Sequence, residues 1–119
     1  VVHAVSRVRD ALPAQVLKVI LETSELSEVQ LTRAAEIALD QGADFLKTST
    51  GFASGGATVE HVQLLAKLAG KRAQVKASGG IRTYKDMLRM LQAGATRIGA
   101  STGAAILADA EEQLGAANA

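Results

Sequence analysis

The sequence predicts an α/β fold in which one helix precedes four βα units, arranged as half of a (β/α)8 barrel. Short apolar runs alternate with amphipathic segments, which implies parallel strands joined by right-handed crossovers. Four such units in 119 residues make about half of a full barrel, which usually takes roughly 250 residues. Loops rich in glycine follow the strands at their C-terminal ends, where barrels carry their functional residues. A doubly wound open sheet is the structural alternative.

The first helix and the first strand precede a capped second helix. Apolar residues at helical spacing predict a helix that Pro13 ends: Val1, Val5, Val8 and Leu12. Residues 16–21 are a continuous β-branched and leucine run, typical of a strand covered on both faces. Ser27 and Gln30 form a capping box for the second helix, and Gly42 ends it. Its predicted inward residues are Leu31, Ala34, Ala35 and Ala38.

The second strand, the third helix and the third strand follow in the same pattern. Residues 43–47 form the strand, and Thr58 caps a helix that ends at Gly70. The inward face of this helix is predicted to carry Val62, Leu65, Ala66 and Ala69. Residues 73–77 form the third strand. These two strands are short, and each is followed by a loop of small residues.

The last part of the chain repeats the unit once more. Thr83 and Asp86 cap a helix that Gly94 ends. Its predicted inward residues are Met87, Met90 and Leu91. The remaining segments are a fourth strand, a small-residue helix and a frayed tail, at residues 96–100, 103–114 and 115–119. We therefore expect residues 1–119 to be a single half-barrel segment that is folded over residues 1–114.

Composition excludes several classes of function. A net charge of +1 and 3% aromatic residues argue against a nucleic-acid partner, because neither a basic stripe nor stacking platforms are present. No apolar run approaches the roughly 20 residues that span a bilayer, so no membrane partner is expected. The absence of cysteine excludes disulfides and cysteine-ligated metal, and it fits a cytoplasmic location. The chain begins at Val1 within a helical pattern, so we expect a piece of a longer protein.

Two lysines at strand ends indicate amine chemistry. Lys47 and Lys76 each end a short apolar run and lead into a loop of small residues. An ammonium loses hydration there, and two neighbouring ammonium groups lower each other's pKa, so one of them can act as a nucleophile near neutral pH. The ordinary alternative is a lysine that reaches solvent or forms a structural ion pair. Lys18, Lys47 and Lys76 recur every 29 residues, which predicts comparable places for them in three successive strands. The loop after Lys18 lacks glycine, so we assign Lys18 a structural or supporting role, paired with Glu22 or another barrel carboxylate.

Three loops after strand ends are suited to binding a phosphate. They comprise residues 48–56, 78–82 and 99–103 and consist largely of glycine, alanine, serine and threonine. Glycine lets an anion approach backbone N–H groups, and the start of the next helix adds a partial positive charge. Arg82 can add a charge-assisted hydrogen bond to the same anion. The sequence therefore predicts a phosphate site beside the two lysines.

Five segments resemble the deoxyribose-phosphate aldolase family, in order and with family-like spacing over residues 1–108. They are residues 17–23 (LKVILET), 42–52 (GADFLKTSTGF), 55–60 (GGATVE), 75–83 (VKASGGIRT) and 94–99 (GATRIG). The resemblance implies a class I aldolase that needs neither metal nor cofactor. Its reaction is the reversible cleavage of 2-deoxy-D-ribose 5-phosphate to D-glyceraldehyde 3-phosphate and acetaldehyde. The family fold is a (β/α)8 barrel, and the chain resembles its second half.

The same resemblance assigns roles to individual residues. Lys47 matches the Schiff-base lysine of the family, and Lys76 matches the second lysine, which lowers the pKa of the first. The positions that match the family's phosphate site are Gly51, Gly79, Gly80, Arg82, Gly99, Ser101 and Thr102. Thr102 stands where some members have serine, and it keeps the hydroxyl.

One departure from the family concerns an aspartate in the fourth strand, which takes part in proton transfer. The chain is expected to begin after that strand, and Asp44 cannot replace the aspartate because it lies on the opposite strand face from Lys47. The expected partners are therefore the sugar phosphate and aldehyde substrates together with either the first half of the barrel or a second copy of this chain. The alternative function is a self-associating half-barrel that binds phosphate without turnover.

Overall fold

The computed structural model describes residues 1–118, and the order of its elements is the predicted one. The helices are α1 (Val2–Ala11), α2 (Glu28–Asp40), α3 (Val59–Ala69), α4 (Tyr84–Ala93) and α5 (Gly103–Asn118). The strands are β1 (Lys18–Ile20), β2 (Phe45–Lys47), β3 (Gln74–Ser78) and β4 (Arg97–Gly99), and a 3₁₀ turn spans Thr23–Glu25. No helix within residues 1–118 is both long and apolar enough to cross a membrane.

The four strands form one parallel sheet in the order β1-β2-β3-β4. Lys47 pairs with Lys76 in register, and Lys76 pairs with Arg97. Lys18 pairs with Phe45, two residues before Lys47. The prediction that the three lysines occupy comparable places is therefore wrong for Lys18, which lies nearer the N-terminal ends of the strands.

One face of the sheet is packed against helices. Strand residues of this face belong to the core or pack against it: Val19, Leu46, Val75, Ala77 and Ile98. Their helical partners in the core include Leu31 and Ala35 of α2 and Val62 and Leu65 of α3. The alternation of side chains along a strand directs the intervening residues to the opposite face, which we call the concave face.

The concave face is open to solvent along β1, where Lys18 is exposed and Ile20 is 45% exposed. The prediction that residues 16–21 are covered on both faces is therefore wrong for this chain, because helices cover only one face of β1. The strand is also shorter than predicted. At its entrance the Leu17 carbonyl accepts hydrogen bonds from both Asp44 and Phe45, so the regular ladder begins later.

Helix starts agree with the sequence analysis, whereas two other details do not. The capping boxes of Ser27 with Gln30 and of Thr83 with Asp86 are formed. On α4 the inward stripe runs at three-residue spacing through Met87, Met90 and Ala93, which leaves Leu91 exposed, so Leu91 was wrongly assigned to the core. Helix α5 continues to Asn118, past its predicted end at residue 114, and Ala119 lies outside the described residues.

Candidate active site

The C-terminal ends of the strands surround an open cavity of about 540 Å³. Predicted site residues that line it are Lys47, Gly51, Lys76, Gly79, Gly80, Arg82, Gly99 and Ser101. Parallel strands end at one edge of the sheet, so residues from three separate loops meet there. The lysine pair and the glycine-rich loops of the sequence analysis therefore share one cavity.

Two predicted residues lie outside this cavity. Thr102 is exposed just before α5, and its carbonyl accepts the Ile106 N–H. Lys18 lies nearer the N-terminal ends of the strands than Lys47 and Lys76 do. Its Nζ is 5.5 Å from the centroid of the Phe45 ring. The guanidinium carbon of Arg97 is 4.6 Å from the same centroid. A cation–π contact therefore replaces the predicted ion pair of Lys18 with Glu22.

Three cationic side chains lie near Lys76. Burial of its side chain lowers the pKa of Lys76, and the positive charges of Lys47, Lys18 and Arg97 lower the same pKa further. The pKa lowering that neighbouring ammonium groups were expected to cause is found at Lys76. A lowered pKa raises the fraction of neutral amine, which is the form that accepts protons.

Asp44 is held away from the cavity. Its carboxylate accepts hydrogen bonds from the Leu17 N–H at 2.8 Å and from Arg9 at 2.9 Å. Both bonds, with that of Leu17 the stronger influence, lower the pKa of Asp44 below its ordinary value. Asp44 therefore joins α1 to the sheet. This position agrees with the prediction that Asp44 cannot replace the fourth-strand aspartate of the family.

Buried hydroxyl groups join the loop after β2 to the end of β3. The Thr48 hydroxyl donates to the Ser78 carbonyl at 3.0 Å and accepts the Ser78 N–H at 3.1 Å. The Ala57 N–H is shared between the carbonyls of Ser78 and Gly79. These bonds fix the loop that carries Gly51 against the loop that carries Gly80.

Two glycines of the cavity have a steric reason to be glycine. Gly79 has a φ of +89°, a region that other residues rarely adopt. At Gly99 an added Cβ would lie 2.4 Å from Ser78 Oγ and 3.0 Å from Lys76 Cε. The absent side chain at Gly99 therefore makes room for groups that line the cavity.

Five cavity residues were not singled out from the sequence: Thr50, Phe52, Ser78, Ile81 and Ala100. Phe52 is 97% exposed at the cavity, and the Ser78 hydroxyl is buried without a protein partner in the part of the chain described. Ser78 follows Lys76 by two residues, so strand alternation could have placed it on the same face. Phe52 lies within a segment of the resemblance and carried no separate signal.

The cavity combines amines with donors for an anion. Residues of three glycine-bearing loops, among them Arg82, line the cavity together with Lys47 and Lys76. Arg82 forms no salt bridge within residues 1–118, and no three His, Asp or Glu side chains in that range are arranged to hold a metal ion. The arrangement is suited to a reactive carbonyl compound that carries an anionic group.

Comparison with known proteins identifies relatives along nearly the whole chain. The model of the DeoC/LacD aldolase family matches residues 3–110. The deoxyribose-phosphate aldolase of Thermus thermophilus is 55% identical over 111 residues, which are 93% of this chain and 50% of the relative. That of Carboxydothermus hydrogenoformans is 50% identical over 105 residues, which are 88% of this chain and 46% of the relative. The chain thus spans about half the length of the curated relatives it matches.

Solved structures give the same result. Deoxyribose phosphate aldolase from Aeropyrum pernix, described as a tetramer, superposes with a TM-score of 0.87 at 34% identity, covering 94% of this chain and 49% of that one. The aldolase QR15 superposes with a TM-score of 0.85 at 47% identity, covering 97% and 51%. These matches confirm the predicted fold class, the second half of a (β/α)8 barrel.

Proposed function

This chain belongs to the DeoC/LacD family of aldolases, and we propose that it is the lysine-bearing half of a deoxyribose-phosphate aldolase. The proposed reaction is the reversible cleavage of 2-deoxy-D-ribose 5-phosphate to D-glyceraldehyde 3-phosphate and acetaldehyde. It runs through a Schiff base on Lys47 and needs neither a metal nor a cofactor. The register pairing of Lys47 with Lys76 inside a cavity lined by glycine loops and Arg82 is the observation that carries this proposal.

In the proposed mechanism the neutral amine of Lys47 attacks the C1 carbonyl carbon of the sugar phosphate, and loss of water leaves an iminium. The C3 hydroxyl then loses its proton, and the C2–C3 bond breaks. Its electron pair moves onto C2 and into the iminium, which becomes an enamine while glyceraldehyde 3-phosphate departs. Protonation of C2 and hydrolysis release acetaldehyde and restore the amine.

We assign proton exchange beside the Schiff base to Lys76. It is the register neighbour of Lys47, and its lowered pKa lets its amine accept and return a proton more readily than an ordinary lysine. The substrate phosphate is assigned to Gly51, Gly79, Gly80, Arg82, Gly99 and Ser101, which line the cavity, with Thr102 at its margin. Lys18 supports this site from below through its contact with Phe45.

Full turnover is proposed to need the first half of the barrel, which would bring the fourth-strand aspartate that the family resemblance implies. The substrates are small molecules, and neither a nucleic acid nor a membrane is part of the proposal. A cytoplasmic location is proposed from the cysteine-free composition.

A second candidate is a half-barrel that associates with itself and binds phosphate without turnover. The open concave face favours it, because Ile20 is 45% exposed on β1 and, within residues 1–118, each outer strand has only one neighbour. Exposed strand edges and apolar surface promote association between chains.

Borohydride trapping of the chain with 2-deoxyribose 5-phosphate, read by peptide mass spectrometry, tests the first candidate. We expect a reduced adduct on Lys47 and its loss in Lys47→Arg, because a guanidinium cannot form the iminium. Lys67→Met is the matched control, since Lys67 is an exposed lysine of α3. A folded chain that forms no adduct would refute activation of Lys47 in this chain and support the second candidate.

A further inference from the structure

The backbone of Glu22 interrupts the pairing of the first two strands just beyond their ends. The Leu21 N–H donates to the Lys47 carbonyl, and the Thr23 N–H donates to the Thr48 carbonyl. In a regular parallel ladder the second bond would reach residue 49, because each step of two residues on one strand matches two on its neighbour. Glu22 is therefore an extra residue opposite the exit of β2, which is a β-bulge.

Glu22 holds a backbone conformation that is costly for its residue type. Its φ of 55° and ψ of 62° lie in the left-handed region, and no other non-glycine residue within residues 1–118 has a positive φ. Glycine is the usual occupant of this conformation, because a Cβ disfavours it. Strain of this kind is found at functional sites, where the side chain has a task that glycine cannot perform.

The side chain of Glu22 contacts the loop that leaves Lys47. Its two carboxylate oxygens lie 3.2 Å and 3.3 Å from the Thr50 backbone nitrogen. The Thr50 hydroxyl in turn accepts the Phe52 N–H at 3.2 Å. Thr50 and Phe52 both line the cavity, so the carboxylate fixes the first turn of this loop.

We propose that Glu22 is a positioning residue for the loop formed by residues 48–52. Its carboxylate fixes the path of the chain between Lys47 and Gly51, and so sets the distance between the amine and the wall of the cavity. It also occupies the Thr50 N–H with a negative charge. A substrate anion is thereby directed away from Thr50 toward the loop of Gly80 and Arg82.

The assignment of that anion as a sugar phosphate rests on the proposed function. The fixing of the loop does not, and the test separates the two. Three variants are compared with the wild-type chain: Glu22→Gln, Glu22→Ala and Glu22→Gly. Glu25→Gln is the matched control, because Glu25 is an exposed carboxylate of the same 3₁₀ turn.

The first readout is amide hydrogen exchange at Thr50, measured by NMR relative to the core amide of Leu65. We expect the Ala and Gly variants to exchange at Thr50 about tenfold faster or more, which is the loss expected for one hydrogen bond to a charged acceptor. The Gln variant should lie between them and wild type, since its oxygen still accepts. Leu65 and the Glu25→Gln control should not change.

The second readout separates positioning from a structural role. Glycine relieves the left-handed strain that alanine keeps, so Glu22→Gly should resist urea better than Glu22→Ala while both lose protection at Thr50 equally. Titration with inorganic phosphate should shift the Gly80 amide in wild type and in both variants, whereas it should shift the Thr50 amide in the two variants only.

Unchanged Thr50 exchange in all three variants would overturn the proposal, and so would exchange that follows global stability. Failure of Lys47 trapping with the expected exchange pattern would instead refute the proposed activation of Lys47 in this chain and leave the role of Glu22 intact.

Discussion

The positive charge of Lys76 destabilises the folded chain. Its burial and three neighbouring cations disfavour the ammonium form, so its pKa in the folded chain lies below the ordinary lysine value. The unfolded chain keeps the proton over a pH range in which the folded chain has released it. Stability therefore rises with pH from the lowered pKa up to the ordinary value of about 10.4.

Replacement of Lys76 by methionine is expected to stabilise the chain and to remove its proton exchange. Lys76→Met should raise the free energy of unfolding at neutral pH, and its advantage over wild type should shrink as the pH approaches that of an ordinary lysine. Turnover in the reconstituted enzyme should fall by roughly 10² or more, the usual contribution of a general acid–base group. Urea unfolding across this pH range measures the first effect, and steady-state kinetics measure the second.

Lys67→Met provides the comparison for this prediction, because Lys67 is exposed on α3. It should leave the pH dependence of stability unchanged. A constant difference between Lys76→Met and wild type at every pH would show that packing, and not charge, accounts for the stabilisation.

Individual site residues differ in how far the sequence could identify them. Lys47 and Lys76 were identifiable because a lysine at the end of an apolar run is unusual. Glu22 could not be identified in this way, because its proposed role depends on a β-bulge. The bulge forms through the pairing of two strands, which the sequence alone does not show. The 29-residue spacing placed Lys18 level with Lys47, because that spacing ignores the two-residue offset in register.

At the scale of elements, two contacts hold the cavity loops together, and each can be tested with one substitution. The first is Thr48, which is fully buried and bonds both the N–H and the carbonyl of Ser78. Thr48→Val keeps the shape but leaves these backbone groups without their partner. We expect a loss of about 1–3 kcal/mol in the free energy of unfolding, measured in urea.

Thr32→Val is the control for this substitution, since Thr32 is a partly exposed residue of α2. It should change stability by less than about 0.5 kcal/mol, as surface substitutions usually do. Equal effects at Thr48 and Thr32 would contradict a role for the hydroxyl in joining the two loops.

The second contact is the close approach of Gly56 to Gly79. A Cβ on Gly56 would lie 2.4 Å from the Gly79 carbonyl oxygen, so the backbone itself would have to move. Gly56→Ala should therefore cost about 1–3 kcal/mol, the range for overpacking. It should also weaken the neighbouring hydrogen bond of Ala57, measured by amide exchange.

Gly103→Ala is the opposite case, because an added Cβ there meets nothing within 4 Å and the residue begins α5. It should be neutral or stabilise by about 0.4–1 kcal/mol. A destabilisation at Gly103 equal to that at Gly56 would exclude the steric explanation.

The sequence predicted element order and helix starts better than element lengths. Capping residues act locally, so Ser27, Thr58 and Thr83 could be recognised without the fold. Strand ends depend on hydrogen bonds to a neighbour, and β1 proved shorter than its apolar run. Leu91 was misplaced because helical spacing alone does not say where the inward stripe is centred.

At the scale of the whole molecule, the chain has a covered face and an uncovered one. The helices pack on one side of the sheet, and in the described part of the chain β1 and β4 each have a single neighbour. Periodicity and segment resemblance were sufficient to predict this half-barrel. The chemistry of the concave face determines which kind of partner can cover it. That chemistry depends on the register of the strands, which the sequence patterns did not reveal.

The concave face carries an excess of positive charge. Its register positions bring together Lys18, Lys47, Lys76 and Arg97. The cations of Lys18 and Arg97 lie over the ring of Phe45. Asp44, which immediately precedes β2, forms a salt bridge with Arg9. A second copy of this chain would oppose this face with the same cations, whereas a segment that carries carboxylates would complement it.

We therefore expect pairing of two copies through the concave face to be weak at low salt and to strengthen as salt is added. Raising the ionic strength from about 0.01 M to about 1 M shortens the Debye length from roughly 30 Å to roughly 3 Å, which screens the repulsion. Sedimentation equilibrium over this range measures the effect. Lys18→Gln should reduce the salt dependence, and Lys67→Gln on α3 should not. A dimer that is tightest at low salt would contradict the charge argument and would favour the self-associating half-barrel over an aldolase completed by a second segment.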